Sequence, residues 1–256
     1  MTWKQWCASD VARVWTRPKN KSLSPSTRSY GSNTGGIPEL NKHGVTGFLS
    51  NVGDIEAPQA DMQTISRRSV DRHPVRCPHA ETAEKMSRHI VSLKDKGDSV
   101  GGVVSCVCRR VPAGLGEPVF DKMEALLAHA MLSIPATKGF EIGSGFSGTR
   151  MLGSQHNDPF VATETGLRTK TNFSGGVQGG ISNGEASYFR VAFKPPATIG
   201  VSQQTVDFNG LETILEGRGR HDPCVVPRAV PIVEGMAALV IADMWLLQQS
   251  RSTGSP

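Results

Sequence analysis

What the sequence lacks excludes several classes of protein. No apolar run is both long and free of charge. The strongest, Ile232 to Leu247, carries Glu234 and Asp243 and is short for a bilayer crossing, so it predicts a buried helix and no membrane role. No hydrophobic signal-peptide core precedes the five cysteines (Cys7, Cys77, Cys106, Cys108 and Cys224). Their odd number and irregular spacing favour a reducing, cytoplasmic compartment over a disulfide framework. A GxxxxGK[ST] phosphate loop is absent, and so is any internal repeat.

A surplus of charge is also missing from most of the chain. The 256 residues carry a net charge of +5, which at first suggests a nucleic-acid partner. Seven of the 28 Lys/Arg and two of the 23 Asp/Glu fall in residues 1–42, leaving 21 of each sign beyond. The body is neutral, so no nucleic-acid partner is expected. The head has no apolar periodicity, is rich in Ser, Thr, Gly and Asn, and is expected to be a disordered basic leader. Its composition also suits a transit peptide for a plastid or other organelle.

From residue 43 to 256 the pattern is that of one folded domain. Val45 to Val52 reads as a strand, and residues 79–95 as a helix with Ala83, Met86, Ile90 and Leu93 on one stripe. Val100 to Val111 is β-rich. A second helix is expected from Pro118, with Phe120, Met123, Leu127, Ala130 and Met131 at helical spacing. Two glycine-rich stretches (139–148 and 175–184) precede a strand near Tyr188–Phe193 and a hairpin about Asn209-Gly210. The final helix, about Ile232 to Gln248, is apolar nearly all round and is expected to be buried. Strands and helices mix without βαβ alternation, which predicts an α+β sandwich.

Four motifs bear on chemistry. Gly143-Ser-Gly-Phe-Ser-Gly148 matches the dinucleotide fingerprint in form, but no helical stripe follows it, so it reads as an irregular glycine loop. Cys106 and Cys108 would share one face of a strand, where small thiols pack as hydrophobes; the spacing is poor for zinc, and no metal is expected. Ser174 to Gly184 holds five glycines. It is either a tightly packed turn or a backbone cradle for a flat or anionic ligand, with Lys194 as a nearby cation. Gly219-Arg220-His221-Asp222-Pro223-Cys224 gathers a fixed cation, a titrating imidazole and a carboxylate, with Arg228 close behind. The apolar string that follows favours a pocket for an anionic, phosphorylated ligand over a solvated loop.

The stretch from Gly219 to Pro231 (GRHDPCVVPRAVP) also resembles the C-terminal signature of chorismate synthases. The resemblance extends through Asp98–Gly102, Gly114–Lys122, Ala130–Gly139, His156–Asp158, Gly175–Gly184 and Phe193-Lys194-Pro195. It implies the family's β-α-β sandwich, incomplete at its N-terminus, and a homotetramer in complete members. It implies the 1,4-anti elimination of phosphate from 5-enolpyruvylshikimate 3-phosphate to chorismate, in the shikimate pathway of aromatic amino-acid biosynthesis. Reduced FMN is the implied cofactor, with NADPH as reductant in fungal-type relatives. By motif, flavin contacts fall on Pro135, Ala136, Gly179, Lys194, Pro195, Pro196, Ala197, Thr198 and Arg220, and the proton step on Asp222. The family's Gly-Glu-Ser-His-Gly and Arg-Gly-Gly-Gly-Arg motifs are not in these residues. The chain thus resembles the C-terminal part of the family behind an unrelated leader; the alternative is a truncated, non-catalytic product that binds flavin weakly or co-assembles with full-length subunits.

Overall fold

The computed structural model describes residues 44–58, 62, 64–164, 166–217, 219 and 221–252. The expected leader, residues 1–42, lies outside them, as does Arg220.

The described elements are β1 (Val45–Val52), β2 (Ile55–Glu56), α1 (Ala80–Asp95), β3 (Gly102–Cys108), α2 (Met123–Leu132), β4 (Thr137–Ile142), β5 (Phe160–Thr163), β6 (Gly166–Thr169), β7 (Val177–Gln178), β8 (Ile181–Ser182), β9 (Ser187–Phe193), β10 (Gln203–Val206), β11 (Glu212–Leu215) and α3 (Val226–Ser252). One-turn helices stand at Arg67–Val70, Gly145–Gly148 and Gly153–His156. The fold is α+β.

Its centre is an antiparallel five-stranded sheet of order β2-β1-β3-β9-β4. Strand β9 shows why: Ser187, Phe189, Val191 and Phe193 are buried and the residues between them are less so, the period-2 alternation that puts one set of side chains on the core face. That face meets the helices. Leu49, Val104, Cys106, Phe189 and Val191 pack with Met123, Leu127 and Met131 of α2 and with Val230, Val233, Ala237 and Ile241 of α3. A second, smaller core joins Phe48 and Val107 to Ile65, Val70 and Ala186. The cysteines behave as small hydrophobes: Cys106 and Cys108 are fully buried in the main core, and burial pushes the Cys106 thiol far up.

Two expectations about helices need correction. The helix expected from Pro118 begins only at Met123, because Glu117 and Asp121 exchange backbone hydrogen bonds (2.8 and 3.0 Å) in a tight turn that occupies the preceding residues. Phe120 is therefore not on the helical stripe and is 88% exposed. The last helix starts at Val226, nearly two turns earlier than expected, and contains Pro231. By length and composition, its Val226–Arg251 portion would suffice to cross a membrane, but one side is packed on the sheet as a core helix packs. Nor is it buried all round: Ile232, Leu239, Leu246 and Leu247 face outward, and no second large sheet covers them among the described residues.

One carboxylate pins α3 to the sheet. Glu234, 8% exposed, accepts the Gly47 backbone N–H of β1 at 2.8 Å and lies 3.6 Å from the Arg67 guanidinium. Burial outweighs these partners and pushes its carboxyl above the ordinary range.

Candidate active site

Four connections converge at one end of the β3–β9–β4 ladder: Asp98–Gly101 entering β3, Pro135–Ala136 entering β4, Lys194–Gly200 leaving β9 and Gly217–Cys224 entering α3. The first of these holds the others. Ser99 Oγ donates to the Pro196 carbonyl at 2.7 Å, and the next residue, Val100, donates its N–H to the Pro223 carbonyl at 2.8 Å. Consecutive residues thus tie the Lys194–Thr198 segment and the Asp222-Pro223 segment together. Gly101 makes the approach feasible, since a Cβ there would stand 2.2 Å from the Phe193 carbonyl oxygen.

Ala136 closes the opposite side. After α2, Thr137 Oγ1 donates to the Ile134 carbonyl at 2.7 Å, and Ala136 takes a left-handed φ of +71°. That conformation costs a residue with a Cβ about 1–2 kcal/mol. In return its carbonyl accepts the Lys194 N–H at 2.9 Å, extending the β4–β9 pairing by one rung into the loop. Lys194, Pro195, Ala197 and Thr198 are exposed beyond that rung, leaving an ammonium group and open backbone at the rim.

The residues leading into α3 bring two functional groups, His221 and Asp222. His221 Nε2 lies 3.2 Å from the Gly217 carbonyl, while its Nδ1 is buried with no hydrogen-bond partner among the described residues. Gly217 itself packs so closely that a Cβ would meet the Ile199 carbonyl oxygen at 2.2 Å. Asp222 is held by Arg228 of α3, whose guanidinium donates to Oδ2 at 2.5 Å. The assembly offers a cation at the rim, a carboxylate in a fixed pose and an orphaned ring nitrogen. Those groups suit an anionic ligand with proton chemistry at one edge.

Of the residues singled out in the sequence, Pro135, Ala136, Lys194, Pro195, Pro196, Ala197, Thr198 and Asp222 belong to these converging connections. Arg220 lies outside the described residues. Gly179 is elsewhere: it turns between β7 and β8, and the neighbouring Gly180 carbonyl accepts the N–H of Met123, the first residue of α2, at 2.9 Å. Ala136 follows the last turn of that ten-residue helix, so about 15 Å of helix separates the two. The glycine-rich stretch around Gly179 thus caps the start of α2, away from Ala136.

Two other motifs have structural employment. Residues Gly145–Gly148 form a single helical turn, and Ser144 Oγ meets His156 Nε2 at 2.8 Å. Asp158 accepts the N–H groups of Phe173 and Ser174 (both 2.8 Å) and the Thr171 hydroxyl (2.7 Å). Burial alone would raise its carboxyl, but these donors outweigh it and hold the group low. Residue-by-residue reasoning missed Ser99 and Val100. The signal available was the Gly101-Gly102 pair before a β-rich run, a mark of backbones in close approach.

Comparison with known proteins shows the family. The chorismate synthase family model matches residues 38–246. A chorismate synthase of Opitutus terrae is 59% identical over 207 residues, covering 81% of this chain and 57% of that protein. One of Schizosaccharomyces pombe is 61% identical over 192 residues, covering 74% of this chain and 49% of its own length. A crystal structure of chorismate synthase superposes with a TM-score of 0.67 at 29% identity, over 83% of this chain and 59% of that one. The chain spans about half the length of the curated relatives it matches. The match by model, identity and fold is sufficient to place it: this chain belongs to the chorismate synthase family.

Proposed function

We propose that this chain supplies the flavin-side portion of a site for the 1,4-anti elimination of phosphate from 5-enolpyruvylshikimate 3-phosphate, giving chorismate. A C–H and a C–O bond break, a double bond forms, and phosphate and a proton leave, with no net redox change. The observation that carries the reading is the convergence of Ala136, Lys194–Thr198 and Asp222 on the Ser99–Gly101 segment. The residues fit an anionic flavin: an exposed cation, open backbone beside Ala136 and the buried, unpartnered His221 Nδ1.

When bound, reduced FMN supplies the transient electron donation and the proton-accepting edge that this elimination uses. The chain's own residues have separate tasks. Lys194 and Arg220 balance the anionic charge of cofactor and substrate. Pro135, Ala136 and the Lys194–Thr198 backbone would hold the flavin ring. Asp222 holds or moves the proton, its pose set by Arg228. Gly179 stands at the β7–β8 turn that supports the start of α2, and by its motif it would also contact the flavin. In a fungal-type relative, NADPH would be the source of reducing equivalents.

The test is an anaerobic assay of the chain with reduced FMN and 5-enolpyruvylshikimate 3-phosphate, produced in a host without its own chorismate synthase. Chorismate formation, alone or after addition of the N-terminal half of a relative, is expected to fall at least about 100-fold in Asp222→Ala. Unchanged turnover in that variant rejects the assignment. The second reading is a non-catalytic chain that binds flavin weakly or co-assembles with full-length subunits. Flavin binding without turnover under both conditions selects it.

A further inference from the structure

The β10–β11 hairpin contributes nothing to its own chain's core. All of its strand residues are exposed, and Val206, Phe208, Leu211, Ile214 and Leu215 present large apolar side chains to solvent. Among the described residues its hydrogen bonds are internal: the strand ladder, and the Asp207 carboxylate accepting the N–H groups of Asn209 and Leu211 at 2.8 and 2.9 Å. A two-stranded ribbon is marginal alone in water, and so large an apolar group on a projecting element marks a contact surface.

Charge indicates what sits there. Between Lys194 and Arg218 the only ionisable side chains are Asp207, Glu212 and Glu216. The complementary surface is on this same chain: Arg67 to Arg76 holds four arginines and His73 against Asp71 alone. Arg67 and Arg76 are engaged by Asp71 and Glu234, whereas Arg68 and Arg72 are exposed and make no ion pair among the described residues. Within one chain the two features are far apart. The hairpin is rooted by Gly200 N–H on the Gly97 carbonyl (2.7 Å), beside the start of β3. The arginine run instead packs through Val70 on Val107, near the end of β3, about 20 Å along a seven-residue strand. Two copies related by a two-fold axis can satisfy both features reciprocally.

We infer that the β10–β11 hairpin is an arm that seats on the Arg67–Arg76 segment of a second copy of this chain, its apolar tip covered and Glu212 and Glu216 facing Arg68 and Arg72.

The test is hydrogen–deuterium exchange of the full chain at about 1 and 100 µM, read by mass spectrometry, with exchange of the hairpin amides expected to slow about tenfold or more at the higher concentration. Glu212→Arg with Glu216→Arg is expected to abolish that slowing, and adding Arg68→Glu with Arg72→Glu to restore it; circular dichroism checks that each variant is folded. Hairpin exchange independent of concentration overturns the inference. So does protection confined to 226–252, which would mean association through the outer side of α3. Reversal at the hairpin without rescue at the arginines overturns the second copy as occupant.

Discussion

Both sides of α3 carry large apolar side chains, in opposite circumstances. Val230, Val233, Ala237 and Ile241 are sealed against the sheet, while Leu239, Leu246 and Leu247 on the other side stand in solvent. Composition therefore determines that a helix wants cover on both sides. Only the neighbouring layers determine which side obtains it. The same contrast runs through the molecule, between a sheet face sealed by helices and hairpins that project from it uncovered.

The sharpest way to break this comparison is a pair of truncations on α3. Ile241→Ala should cost about 2–5 kcal/mol in urea unfolding, from lost burial and the cavity left behind. Leu239→Ala should stay within about 0.5 kcal/mol. An equal loss at both positions would mean that the outer side is covered in solution.

A smaller effect separates two buried carboxylates. Glu185 receives two hydrogen bonds from Arg168 (2.6 and 2.7 Å), which hold it below the ordinary glutamate value of 4.5. Its contribution is present above that value and is lost as pH falls through its lowered one. Glu234, under α3, is shifted the other way by burial. Its contribution is full below 4.5 and declines as pH rises through its raised value. Glu185→Gln should thus cost about 1–3 kcal/mol at pH 7 and less in acid. Glu234→Gln should remove the loss of stability on the way from pH 4.5 towards neutrality. Urea midpoints between pH 4 and 8 distinguish the two, and parallel pH profiles for both variants would refute the contrast.

The smallest expected change in stability is at the rim of the site. Lys194→Ala should leave the unfolding free energy within about 0.5 kcal/mol while weakening reduced-FMN affinity about tenfold, read by anaerobic spectral titration. A large stability loss would make Lys194 part of the frame rather than part of the binding surface.

Much of the frame was legible in the sequence. The strand expected at Val45–Val52 matches β1, and the stripe Ala83, Met86, Ile90 and Leu93 marked α1, because apolar periodicity survives wherever one face is buried. The start of α2 was not legible: Pro118 suits a first helical turn, and only the Glu117–Asp121 pairing overrides it. At the site, Lys194 and Asp222 could be found by residue type. The splice made by Ser99 and Val100 could not, because it consists of one common serine hydroxyl and one backbone N–H reaching carbonyls that every residue carries.

That splice has a consequence for how the chain tolerates change in length. Ser99 and Val100 clamp Pro196 and Pro223, so the β10–β11 hairpin lies on a connection anchored at both ends. For such a loop the entropy of closure grows only logarithmically, about 0.6 kcal/mol for each doubling of its length. Residues can accordingly be inserted or deleted at the Asn209-Gly210 tip without shifting either anchored end. The reach of the hairpin can be altered while the spacing between Lys194 and Asp222 stays as it is.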